Sequence, residues 1–200
     1  MLNLPQKTLI QKALPKNAIF ARFELTSAER KHFNDQISRL TIVAEISSNT
    51  TNITPGKKIK AIFVVVVALK SDDCAPRHIA MLAKNIKQNM VFVLSHESKG
   101  RLAIAHSGKV FISDPAVLDS LALNISGLDL DHVWNATLAT IGNFQWQPGD
   151  DIDEVIAKHE QYTKTVKKIA QLEQKARTES QPRRKWTLVE EIRKLRVTSL

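Results

Sequence analysis

Two hundred residues, 43% of them apolar and 24% charged, suffice for one packed domain plus an appendage and exclude wholesale disorder. A single cysteine, Cys74, excludes an intramolecular disulfide framework. The longest apolar run, Ala61 to Leu69, is about half a membrane helix, and the first twenty residues, broken by Pro5 and Pro15, lack an apolar signal core, so a soluble, cytoplasmic protein is expected. Net charge is +9, with 11 Lys and Arg against 5 Glu over residues 159–200 (+6) and 18 against 15 over residues 1–158 (+3), so an acidic partner and the C-terminal fifth of the chain draw attention together.

Residues 1–25 read as an irregular or short-helical arm. Thr26-Ser27-Ala28-Glu29 is a capping-box pattern, and Phe33 and Ile37 follow at helical spacing, which predicts a helix over 27–38. Leu40 to Ile46 alternates and is β-branched, as a first strand would be. Ser47 to Gly56 is a polar loop closed by the turn pair Pro55-Gly56. Ile59 to Leu69 is the strongest strand, and Val64 to Val67 put β-branched side chains on both faces, so it should be central and covered twice. Asp72 and Asp73 before Pro76 suit a helix start, and Ile79, Leu82, Ala83 and Ile86 form its apolar face. Met90 to Leu94 is the next strand, making a strand–helix–strand unit with parallel strands and a right-handed crossover.

Turns at Glu97–Gly100 and Ser107-Gly108 bring in strands at Leu102–Ala105 and Val110–Ile112. Residues 113–127 read as loop, and Asp129 to Asn143 as a helix bearing Val133, Trp134, Leu138 and Ile141. The expected fold is α/β in the α+β sense: a mixed sheet of about five strands with flanking helices, followed by a C-terminal antiparallel helical hairpin. Gln147-Pro148-Gly149-Asp150 marks the boundary, giving a mixed α/β domain over 1–146 and a basic hairpin over 147–200. In the first hairpin helix Ile152, Val155, His159, Tyr162, Val166 and Ile169 alternate at three and four, a short heptad-like seam. Glu179-Ser180-Gln181-Pro182 ends it, and Trp186, Val189, Ile192 and Leu195 mark the second helix, with Trp186 expected in the core.

The opening Leu4-Pro5, the pair Pro15-Lys16, the helix with Phe33 and Ile37, the Thr51-Asn52-Ile53 loop, the strand ending Leu69-Lys70 and the Lys175–Lys185 link together resemble the bacterial domain-of-unknown-function 4391 family over nearly the whole chain. The resemblance implies genomic company rather than an activity: genes of this kind lie near helicases and DNA methyltransferases of restriction-type systems. Family members often carry acids along the strand that ends in Lys70. Here Ala61, Val66 and Ala68 occupy that stretch, so chemistry resting on those acids does not transfer.

A metal-dependent nuclease needs an acid and then a strand bearing Asp/Glu-x-Lys, the acids holding the metal and the lysine steadying charge at the phosphate. Lys70 ends the central strand, but Ala68 stands two residues before it, and Glu45 on the preceding strand is an acid without a partner. Glu45 and Lys70 are therefore the alternative catalytic pair, and no catalytic residue is expected in the leading reading. Cys74, His78, His96 and His106 lack paired ligand spacing and read as a buried cysteine and surface histidines, so no metal is expected. No glycine-rich phosphate loop or nucleophile motif appears, and no cofactor is expected. Phe63, Phe92 and Phe111 read as packing.

The candidate contact surface is basic: Lys164, Lys167, Lys168, Lys175, Arg177, Arg183, Arg184, Lys185, Arg193 and Lys194, interrupted by Glu173, Glu179, Glu190 and Glu191. The leading expectation is a non-enzymatic accessory protein of a DNA-processing or restriction-type system. Its candidate partners are a helicase or DNA methyltransferase subunit and nucleic acid. The alternatives are a divergent metal-dependent nuclease and a hairpin-mediated homodimer whose target is unrelated to DNA.

Overall fold

A computed structural model describes residues 2–72 and 74–198, so Asp73 and its part in a helix start lie outside the described residues. The chain divides into two compact units, Met1–Pro148 and Gly149–Leu200. The first holds a seven-stranded mixed sheet. Strands β1 (Leu9–Ala13), β2 (Ile37–Ser47), β3 (Ala61–Leu69), β4 (Asn89–His96), β5 (Lys99–His106) and β6 (Lys109–Ile112) lie side by side in chain order, and β7 (Ala116–Val117) also pairs with β5. Among the described strands only β3 and β4 pair in parallel.

The sheet has more strands than the five expected because β1 and β7 show no alternating, buried apolar pattern. All five residues of β1 are exposed, and it joins the sheet through backbone pairing to β2 alone. The segments β6 and β7 share the outer edge of β5. Ser113 N–H still donates to Leu102 O, and Pro115, which has no N–H, interrupts the run between them.

Helices α1 (Lys16–Arg22), α2 (Ser27–Gln36) and α3 (Pro76–Ile86) supply one layer. Val65 and Val67 of β3 and Phe92 and Leu94 of β4 meet Ile19, Phe33, Ile79 and Leu82 from those helices. The alternate residues Ile62, Val64, Val91 and Val93 are also buried and point to the opposite face. There α4 (Leu130–Gly142) covers β3, β5 and β6. The central strand is thus covered twice, as its β-branched run requires. Phe92 is fully buried and Phe111 packs edge-on against Phe144, so both are packing residues.

The Thr26 cap forms the full capping box with Glu29. Helix α3 starts at Pro76 as expected, but not on a side-chain cap from Asp72. Its N-cap is Ala75, without a side-chain cap and with Pro76 in the first turn, and Gln36 Oε1 accepts from Ala75 N–H in place of an aspartate. Asp72 instead faces Lys99 at 3.9 Å.

The polar loop before β3 is held from a distance. Asp131, in the first turn of α4, accepts from the N–H groups of Lys57 (2.7 Å), Lys58 (3.1 Å) and Ile59 (2.7 Å). Gly56 leaves room for that carboxylate, because a Cβ there would stand 2.2 Å from Asp131 Oδ1. Among the described residues no helix is long and apolar enough to cross a membrane.

Candidate nucleic-acid interface

The second unit consists of α5 (Ile152–Thr178) and α6 (Pro182–Thr198). Asp151 caps α5 by accepting from Asp153 N–H and Glu154 N–H, and acids fill its first turn while Lys175 and Arg177 fill its last. Both ends therefore complement the helix dipole. Three residues separate the helices. Lys168 of α5 meets Glu191 of α6 at 2.8 Å, and these residues stand about equally far from the link, so the chain reverses there. Arg196 donates to Glu173 at 2.6 Å along the other edge of the seam. Between these pairs Leu172, Ala176 and Ile192 are buried.

The seam differs from the heptad reading. Tyr162 and Val166 are 55% and 42% exposed. With only 17 residues, α6 runs out near the position of Tyr162, while Val166 precedes the buried Leu172 by six residues and so lies about 120° away from the seam. Trp186 differs too, being 66% exposed. The spacing Trp186, Val189, Ile192, Leu195 advances three residues at a time, and at about 100° per residue each step drifts by about 60°. Three steps turn the stripe half-way round the helix, so its last members face the seam and Trp186 faces solvent.

All ten basic candidates, Lys164, Lys167, Lys168, Lys175, Arg177, Arg183, Arg184, Lys185, Arg193 and Lys194, are exposed. They do not form one uniform stripe, since Lys168 is already neutralised by Glu191. The turn end is the densest part. Lys175, Arg177, Arg183, Arg184 and Lys185 converge there, and among the described residues none of the five is in an ion pair, as is true of Lys164, Lys167 and Arg193 further along. A cleft of about 490 Å³ opens at this end, lined by Lys175, Thr178, Glu179, Arg184, Thr187 and Leu188. The first turn of α6 contains no acid. Its three cations sit at the positive end of the dipole, where helix stability disfavours them.

The alternative catalytic pair does not come together. Glu45 lies opposite Phe63 on β3, and Lys70 is seven residues further along, about 23 Å at 3.3 Å per residue. One charged neighbour of Lys70 is a cation: Lys16, which donates to Ile37 O, has its ammonium pKa lowered by burial and by the charge of Lys70.

The four possible zinc ligands do not group together. Cys74 precedes α3 rather than lying on it, and with His96 it lines a small cleft where β3 and β4 end. In open α/β sheets that is a common place for a ligand, but about 20 Å³ holds only one water. His106 stands 3.5 Å from Trp134 Nε1. Among the described residues no three His, Cys, Asp or Glu side chains group closely enough to hold a metal ion.

His78 has a different partner, which sequence reasoning missed. It is buried on α3, with its Nε2 3.0 Å from Nδ1 of His32 on α2 and its ring edge-on to Phe33. One N–H shared between two imidazoles satisfies this geometry. Burial, then His32 and Arg77, lower the pKa of His78 from 6.5 to about 4. Forty-six positions separate the two rings, so no local pattern could have linked them.

A family model described as Domain of unknown function (DUF4391) matches residues 2–198. No curated protein and no solved structure matches the chain.

Proposed function

The chain thus belongs to the DUF4391 family, and from that premise we propose that it is a non-enzymatic accessory component of a DNA-processing system whose basic hairpin contacts nucleic acid. The observation that carries this reading is the turn end of the hairpin. Among the described residues five exposed cations without ion pairs gather there in one short stretch, whereas further along Lys168 and Arg196 have acidic partners and the unpaired Lys164, Lys167 and Arg193 are more widely spaced. An arrangement optimised only for helix stability would place acids in the first turn of α6. Arg183, Arg184 and Lys185 stand there instead, where phosphates could neutralise them with release of counterions. The separation of Glu45 from Lys70 favours this reading over the nuclease alternative. The helicases and methyltransferases implied by the family likeness supply the setting.

The test is oligonucleotide binding by the whole chain across a salt series, followed by fluorescence anisotropy. Binding is expected to weaken as salt rises. Replacing Arg183, Arg184 and Lys185 together by alanine should flatten the slope of log affinity against log salt by about 0.9 per lost duplex contact, or about 0.7 on a single strand. A triple variant with unaltered affinity and slope removes the hairpin from the account.

A further inference from the structure

We infer that the outer face of α6 binds unpaired nucleic acid, with Trp186 as the stacking platform for a base and Arg183 and Arg193 as contacts for the flanking phosphates. This rests on the hairpin's proposed contact with nucleic acid and specifies its substrate class.

Indole is the largest apolar side chain, and a soluble helix gains nothing by holding it in water. Trp186 is nevertheless 66% exposed, and Val189, 48% exposed, lies one turn on. At about 100° per residue, Arg193 returns to within about 20° of Trp186 after two turns, and Arg183 lies about 60° away one turn earlier. The two guanidiniums bracket the indole over about 15 Å of helix. Lys194 is on the flank of this face, and Glu190 is the acid upon it. The buried Ile192 and the half-buried Leu188 and Leu195 take the opposite side, towards the seam.

The mixture of indole and cations selects the occupant. A second copy of the same face would bring arginines against arginines, and an apolar protein surface would strip water from both guanidiniums without neutralising them. A polyanion carrying flat π faces satisfies the arginines and the indole together. Duplex DNA keeps its base faces stacked inside, whereas a single strand offers one at every nucleotide. The stated ligand is therefore a single strand.

The experiment compares a 20-nucleotide oligothymidine with a 20-base-pair duplex, using the whole chain, anisotropy and intrinsic tryptophan fluorescence. The expected result is tighter binding of the single strand, accompanied by quenching. Trp186→Ala is expected to lose about 5- to 150-fold in single-strand affinity, the range for one stacked base, while duplex affinity and both salt slopes stay put. Trp186→Phe should retain most of the affinity. It should abolish the quench, since Trp134 and Trp146 lie outside α6. Equal binding of both nucleic acids with no effect of Trp186→Ala overturns this inference and leaves the hairpin contact standing. An equal loss on both likewise overturns it. Failure of the wild-type chain to bind either oligonucleotide at low salt overturns the hairpin contact itself.

Discussion

His78 and His32 face one another across the packing of α3 on α2, and the burial of His78 there ties folding to pH in a definite direction. The unfolded chain protonates His78 near 6.5, whereas in the folded chain burial, His32 and Arg77 hold it neutral until about 4. Between those values the unfolded state binds more protons, so stability is full above pH 6.5 and falls as pH drops towards 4. Urea midpoints measured from pH 7 to pH 4.5 should trace that decline. His78→Phe, which keeps a ring beside Phe33 but cannot titrate, should flatten it, and an unchanged slope in that variant would assign the dependence elsewhere.

Asp131 titrates lower. Partial burial is the largest single influence and raises its pKa, but the amides of Ile59, Lys58 and Lys57, with Lys60, outweigh it and leave the carboxyl below its usual range. Its contribution is therefore present above the ordinary carboxylate pKa and is lost only as pH falls through the lowered one. Asp131→Ala should cost roughly 1–3 kcal/mol by leaving three loop amides without their acceptor. Gly56→Ala should cost a similar amount, about 1–3 kcal/mol, by driving a methyl group into that carboxylate. Because both changes break one clamp, the double variant should cost less than the two added together, which denaturant unfolding of all four chains would measure. None of this was legible in advance. Asp131 and Lys57 are 74 positions apart, and the sequence around each resembles an ordinary cap or an ordinary turn.

Strands and helices were legible where a hydrophobic period faces a core. The strands β2 to β5 and the helices α3 and α4 bury alternate or helically spaced apolar residues, α2 buries Phe33, β6 is half-buried, and each lies near its expected place. The β1 strand escaped because an exposed edge strand is specified by its neighbour's free backbone groups rather than by its own side chains. Trp186 misled because a repeat of three resembles a helical stripe over two turns and drifts off it over three. The first turn of α6 offers a measurable conflict between stability and binding. Arg183→Glu places an acid at the positive end of the dipole, worth about 0.3–1 kcal/mol to the helix. Slower amide exchange over the first turns of α6 together with weaker oligonucleotide binding is the expected pair of results. Slower exchange with full binding would detach Arg183 from the interface.

Charge is where sequence averages conceal most. The unit Gly149–Leu200 contains 12 Lys and Arg against 9 Asp and Glu, a net of only +3, although residues 159–200 alone reach +6. The difference comes from Asp150, Asp151, Asp153 and Glu154 together with Lys158. Counting residues found the basic stretch but could not tell cations already paired across the seam from those left at the turn, which requires the helices to be folded against each other. The capping that starts α5 has a consequence for encounter as well as for helix stability. Its acids and Lys175 are about 33 Å apart along one rigid axis, several times the screening length of about 8 Å in physiological salt. A polyanion therefore meets the two ends as separate poles, repelled by one and drawn to the other. For the proposed contact with nucleic acid, that polarity favours approach by the basic end, and lowering the salt extends the distance over which the preference acts.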